Sequence, residues 1–165
     1  MRVCGIDPGG AGAMATIEGL NVVSVFDMER DLGPITGGAL SAEAITRELR
    51  ESAPEMIVIE KQGPQAVTSK KSIFSLGRNY QALLSGIKPY VSEREAVIVL
   101  FVTPQAWKKK LGLTAKRGST SKEKKMLTAN MAENMFPGVA KGPRGGTKDG
   151  RADALMIAVY GQKVS

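Results

Sequence analysis

Apolar runs and amphipathic stretches alternate along the chain, and their periods predict its elements. Residues 2–7 form an apolar run that ends on the carboxylate of Asp7, and Pro8-Gly9-Gly10 then turns the backbone sharply. Residues 13–17 and 21–26 read as two further short strands joined by a hairpin turn at Gly19-Leu20, so the first three strands form an antiparallel meander. Residues 27–38, with Gly33, Pro34, Gly37 and Gly38, read as a surface loop. Ser41 is an N-cap for a helix over 42–52, whose Ala44, Ile45 and Leu49 share one face before Pro54. Met56 to Ile59 is wholly apolar, the pattern of a strand buried on both faces, and ends on Glu60. A helix must cross over to reach it, which predicts pairing parallel to the first strand.

The polar, basic stretch 61–71 reads as a flexible segment. Ile73, Leu76, Tyr80, Leu83, Leu84 and Ile87 then recur at helical spacing, predicting a long amphipathic helix over 72–86. Residues 96–103 read as a strong central strand, and Pro104 suits the first turn of the helix that follows. A mobile basic loop is expected over 112–121. A helix over 122–135 carries Met126, Leu127, Met131 and Met135 on one face, which is expected to pack in the core. Phe136-Pro137-Gly138 stops it. A second flexible basic loop at 141–146 leads to a last helix over 148–162. This order of elements resembles the ribonuclease H-like fold. The resemblance implies an α/β architecture, a mixed five-stranded sheet flanked by helices, with the acid-bearing first and fourth strands adjacent at its centre.

Length adds that 165 residues make one domain, 1–165, large enough to bury roughly two-thirds of its unfolded surface. No apolar run is long enough for a membrane span, and no leader pattern precedes the first strand. The one cysteine, Cys4, falls inside a strand and is expected to be a small core side chain. A reducing, cytoplasmic setting is the expectation, with no membrane partner. Charge changes the picture more. The formal net charge is +7 and the isoelectric point about 9.6, the balance of a protein that meets a polyanion.

The candidate chemistry lies in four carboxylates. Asp7 and Glu60 end two strands, and Asp149 and Asp153 stand four apart at the start of the last helix, where they share a face. Like charges so placed repel, and a cation between them removes the cost. With no histidine and one buried cysteine, only oxygen ligands are on offer, which suits Mg²⁺ or Mn²⁺ rather than zinc. Two such ions about 4 Å apart can drive an in-line phosphoryl displacement. The absence of histidine excludes Ser-His-Asp and Cys-His mechanisms. The basic residues cluster around these acids in sequence: Lys61, Lys70 and Lys71 after Glu60; Lys108, Lys109 and Lys110 after the fifth strand; Lys116, Arg117, Lys122, Lys124 and Lys125 next. Lys141, Arg144, Lys148 and Arg151 lead to the last acids. As a group they suit a groove that tracks phosphates. Trp107, beside three lysines, is expected in the core, with base stacking as the alternative.

Gly5-Ile6-Asp7-Pro8-Gly9, Ile59-Glu60 and Asp149-Gly150-Arg151-Ala152-Asp153-Ala154-Leu155 together resemble the RuvC family of Holliday junction resolvases, and Ser75-Leu76-Gly77 and the closing Met156-Ile157-Ala158 fit that pattern. The resemblance implies a homodimer that binds a four-way DNA junction. It would nick two opposed strands symmetrically with Mg²⁺ or Mn²⁺, two ions per site. Asp7, Glu60 and Asp153 carry over as metal ligands. The family's bacterial members place the preceding acid or histidine three residues before the last Asp, where this chain has Gly150. The resemblance to chloroplast and some viral or phage members, which look similar in this respect, implies that Asp149, four before, takes the role here. The aromatic that those bacterial members carry shortly after the Glu is missing from Gln62 to Gln65. Lys108 and Lys124 or Lys125 resemble the basic residues near the scissile phosphate. The alternative within the fold is a nuclease acting on RNA or an RNA–DNA hybrid. A junction-binding protein without catalysis is disfavoured by the presence of all four acids. Sugar kinases and actin-type ATPases share a similar first phosphate loop but need a second domain and a second phosphate motif. Neither occurs in this chain, so no nucleotide cofactor is expected.

Overall fold

In the computed structural model, described for residues 1–9, 11–28, 34–35, 39–61, 70–142 and 149–165, with the backbone alone at 34–35, 39 and 70–75, the predicted order is present. Strands β1 (Arg2–Asp7), β2 (Ala13–Glu18) and β3 (Asn21–Asp27) form the antiparallel meander, and β4 (Pro34–Ile35) and β5 (Ala39–Leu40) make a separate two-residue ladder. Helix α1 (Ala42–Ser52) leads to β6 (Met56–Glu60), α2 (Lys70–Ser92) to β7 (Ile98–Val102), and α3 (Pro104–Lys110), α4 (Ser121–Met135) and α5 (Asp149–Gln162) follow. The five-stranded sheet runs β3-β2-β1-β6-β7, with β1, β6 and β7 mutually parallel, so the two acid-tipped strands are neighbours at its centre. Among the described residues no helix is long and apolar enough to cross a membrane.

Each long element starts where local chemistry dictates. The Ser41 hydroxyl accepts the Ala44 N–H at the head of α1, and Thr103 caps α3 with Pro104 in its first turn. Thr120 and Glu123 close a capping box on α4.

The sheet separates two apolar layers. Cys4, Ile6, Ile57 and Ile59 face α1 and α2, where Ile45, Leu49, Leu83 and Tyr90 are fully buried. Val3, Met56 and Val58 face α5 and its neighbours, against Leu155, Val159, Trp107 and Phe136. Side chains alternate along a strand. Asp7 therefore shares the face of Val3 and Gly5, and Glu60 that of Met56 and Val58. Both acids point to the α5 side. Gly5 lets α5 come close: a Cβ there would lie 2.2 Å from the Ala154 carbonyl oxygen and 2.4 Å from the Ala158 nitrogen. That contact sets α5, and with it Asp153, against the end of β1.

Four sequence readings are corrected. The 96–103 strand is an edge strand, β7, with Ile98 and Phe101 exposed, rather than a central one. The long helix continues to Ser92 through Pro89 rather than stopping at 86. Residues 27–38 do not form a simple surface loop: Asp27 ends β3, Asp27 and Met28 are buried, and β4 pairs with β5. The methionine face of α4 is divided, since Met131 and Met135 pack on the core while Met126 and Leu127 are exposed. Cys4 is buried as expected, and burial pushes its thiol up to about 12. The flexible segments read at 62–69 and 143–146 lie outside the described residues.

Candidate active site

Asp7 and Glu60 stand at the same end of adjacent parallel strands, one residue beyond the paired Ile6 and Ile59. Asp153, in the second turn of α5, is near enough for its charge to act on Glu60. Asp7 Oδ1 accepts the Gly9 N–H at 3.0 Å, the hydrogen bond of a short turn that the Pro-Gly sequence allows. Glu60 Oε2 accepts the indole Nε1–H of Trp107 at 2.6 Å. Lys108 Nζ stands 3.9 Å from Asp153 Oδ2 and 4.8 Å over the centre of the Trp107 ring. Asp149, half exposed at the helix start, pairs with Lys125 of α4 at 2.8 Å.

Electrostatics show what this arrangement lacks. Burial pushes the Glu60 carboxyl up to about 7; the Trp107 hydrogen bond opposes the shift, and Asp7 and Asp153 add to it. Burial also raises Asp153 to about 6, opposed by Lys108 and reinforced by Asp7 and Asp149. Asp7 is raised too, by burial first, against the Gly9 N–H and Lys108 and with Asp149. These carboxylates thus sense one another and are short of positive charge. Among the described residues no three of them stand close enough together to enclose an ion, and lysines pair with two of the four. The donor set is all oxygen and undercompensated, which fits a hard divalent cation.

A pH dependence follows for the metal-free protein. Each raised carboxyl is protonated more readily in the fold than in the open chain. Its stabilising contribution is complete below the unfolded value and is lost as pH rises through about 6 for Asp153 and about 7 for Glu60. In EDTA, Tm is expected to fall by several degrees on going from about pH 5 to about pH 8. The pair Glu60→Gln and Asp153→Asn is expected to flatten that slope, and an unchanged slope in the variant would contradict the assignment.

Of the predicted basic residues, Lys108 and Lys125 contact the acids directly. Lys61, Lys109, Lys110, Lys116, Arg117, Lys122 and Lys124 are exposed on β6's end, α3, the turn after it and α4. Lys70 and Lys71 lie in the first turn of α2. Lys148, Arg144 and Gln62 to Gln65 fall outside the described residues. Lys122 and Lys125 line an open cavity of about 610 Å³ with Met126, Asn130 and Asp149. Arg151 is no free groove cation: its guanidinium grips the buried Asp27 carboxylate at 2.6 and 3.0 Å and donates to the Lys141 carbonyl at 2.9 Å. That ion pair fastens α5 to the end of β3.

Sequence reasoning placed Trp107 in the core, where it is fully buried, but missed its bond to an acid 47 residues away. An indole beside a lysine, one turn after a strand that pairs with the Glu60 strand, was the available signal.

No family model matches the chain, and no curated protein matches it in sequence. Solved structures do match its fold. RuvC of Thermus thermophilus in complex with a Holliday junction substrate superposes with a TM-score of 0.62 at 18% identity, covering 100% of this chain and 96% of that one. Thermus thermophilus RuvC in a second structure gives 0.57 at 18% identity, covering 99% and 96%. The yeast mitochondrial Holliday junction resolvase Ydc2 gives 0.58 at 15% identity, covering 97% of this chain and 77% of that one. The chain has the ribonuclease H-like fold that its order of elements predicts, in the form found in these resolvases.

Proposed function

We propose that this protein is an endonuclease that resolves four-way DNA junctions, nicking two opposed strands symmetrically with a divalent cation. The observation that carries the reading is that, beyond burial, Asp7 and Asp153 raise the Glu60 carboxyl and Asp7 raises that of Asp153, in a fold whose solved neighbour holds a Holliday junction. Asp7, Glu60, Asp153 and Asp149 would hold Mg²⁺ or Mn²⁺, two ions per site. Bound there, the ions supply Lewis-acid activation of water and relief of charge on the departing oxygen.

The chain's own residues do the rest. Asp7 and Glu60 are fixed by strand ends and by the Gly9 and Trp107 donors, so little reorganisation is left for the reaction. Lys108, already drawn to Asp153, would release it to meet the scissile phosphate. Lys125 would exchange Asp149 for a flanking phosphate in the same way. Lys61, Lys70, Lys71, Lys109, Lys110, Lys116, Arg117, Lys122, Lys124 and Lys148 would hold backbone phosphates without reading sequence. Symmetric nicking needs two copies of the site related by a twofold axis, hence a homodimer.

The test is cleavage of a synthetic immobile four-way junction beside linear duplex and an RNA–DNA hybrid, each with Mg²⁺ or EDTA. Paired nicks on opposed strands, confined to the junction and lost in EDTA, are expected. A cut hybrid beside an intact junction would replace this reading with that of a hybrid nuclease.

A further inference from the structure

The structure assigns Trp107 a role beyond packing: it is a positioning residue for Glu60, its indole N–H anchoring one carboxylate oxygen so that the carboxylate has a fixed orientation in the site. This deepens the nuclease reading and rests on it.

β7 runs parallel beside β6, with Val102 opposite Glu60. Thr103 caps the next helix at once, and Pro104 starts it, so Trp107 lies one turn beyond the strand end nearest Glu60. The ring is fully buried beside Leu113, Phe136 and Leu155, which leaves it little rotational freedom. A buried indole N–H needs an acceptor. Here the acceptor is Glu60 Oε2, at a short 2.6 Å.

The choice of donor matters. Indole donates and never accepts, and it is neutral. It can orient a carboxylate without competing with a cation for that carboxylate's charge, which a lysine in the same place would do. The next residue, Lys108, lies over the ring face and close to Asp153. Consecutive side chains of α3 therefore address the two acids that β6 and α5 supply. A donor that holds a metal-binding carboxylate in this way typically changes metal affinity or activity about 10–100-fold when removed.

Trp107 is the chain's one tryptophan, so a ¹⁵N-labelled sample gives one indole N–H resonance. In the metal-free protein, Glu60→Ala is expected to move that resonance upfield and speed its exchange with solvent. Mg²⁺ added to wild type is expected to shift it, and Mg²⁺ added to Glu60→Ala is not. Trp107→Phe, which keeps an aromatic ring without the donor, is expected to lower the rate at saturating junction about 10–100-fold. It should also raise the Mg²⁺ concentration giving half the maximal rate, with junction binding unchanged. An indole resonance indifferent to Glu60→Ala overturns the assignment, whether or not Trp107→Phe folds. So does a Trp107→Phe protein that cuts at the wild-type rate and Mg²⁺ requirement. If wild type leaves the junction intact while the resonance still responds to Glu60→Ala, the nuclease reading falls and the Trp107–Glu60 assignment stands.

Discussion

Asp7→Asn is expected to abolish junction cleavage, by about a thousandfold or more, while junction binding stays within a few-fold of wild type. The substitution keeps the size of a half-buried side chain at the end of the central strand. It keeps an oxygen that can accept the Gly9 N–H. What it removes is one of the charges that hold the cation, and the loss of about 4 kcal/mol of transition-state stabilisation corresponds to roughly three powers of ten in rate. Binding rests on exposed lysines elsewhere and loses nothing; taking a negative charge from beside a phosphate path favours it. A second readout follows from the raised carboxyl. Burial disfavours the charged form of Asp7 in the metal-free fold, so Asp7→Asn is expected to melt higher than wild type in EDTA and to gain less from added Mg²⁺. Single-turnover cleavage, gel-shift binding and thermal melting on one preparation separate these effects.

Gly150→Asp, which would place an acid three residues before Asp153, is expected to cost the fold about 3 kcal/mol and roughly 10 °C in Tm. A Cβ at this position would lie 2.1 Å from the Ala11 carbonyl oxygen and 2.7 Å from the Gly12 Cα, and both obstacles are backbone. Gly12 and Gly150 form a β-bridge there, so α5 starts in contact with the turn that follows Asp7. Gly12 is closed in the same way, with 2.0 Å to the Asp7 carbonyl oxygen. The added side chain must push the helix start away from that turn, and Asp153 moves with it. Cleavage is therefore expected to fall rather than rise. Gly150→Ala tests the steric part alone and should lose comparable stability; an alanine variant as stable as wild type would show that α5 does not depend on this contact.

The same glycine explains why part of the site was legible in the sequence and part was not. The acids of Asp7 and Glu60 could be read because an apolar run ending on a carboxylate is a local pattern. The four-residue spacing of Asp149 and Asp153 was visible; the contact of Gly150 with the Ala11 backbone, far away in sequence, was not. Gly86 misled the helix boundary in a related way. It looked like a stop, yet a Cβ there would lie 2.6 Å from the Ala42 carbonyl oxygen, so it serves close packing of α2 on α1 and the helix runs on. The unbroken apolar run of β7 suggested a central strand. In the fold it closes the sheet at an edge, and the pattern of six apolar residues says nothing about which neighbour is missing. Met126 and Leu127 share helical spacing with Met131 and Met135, but only the later half of α4 reaches the core. Arg151 and Asp27 lie 124 residues apart, and nothing local predicts that pair. Periodicity revealed the elements. The partners that turn an acid or a base into a site came from tertiary contacts.

The central claim is that Asp7, Glu60, Asp153 and Asp149 hold divalent cations in one site, and the most direct measurement is calorimetric titration of the metal-free protein with Mn²⁺, at neutral pH and without DNA. The account predicts saturable Mn²⁺ binding by wild type, with protons released as Glu60 and Asp153 give up theirs, and loss of that binding in Asp7→Asn. Equal Mn²⁺ binding by wild type and Asp7→Asn would contradict it.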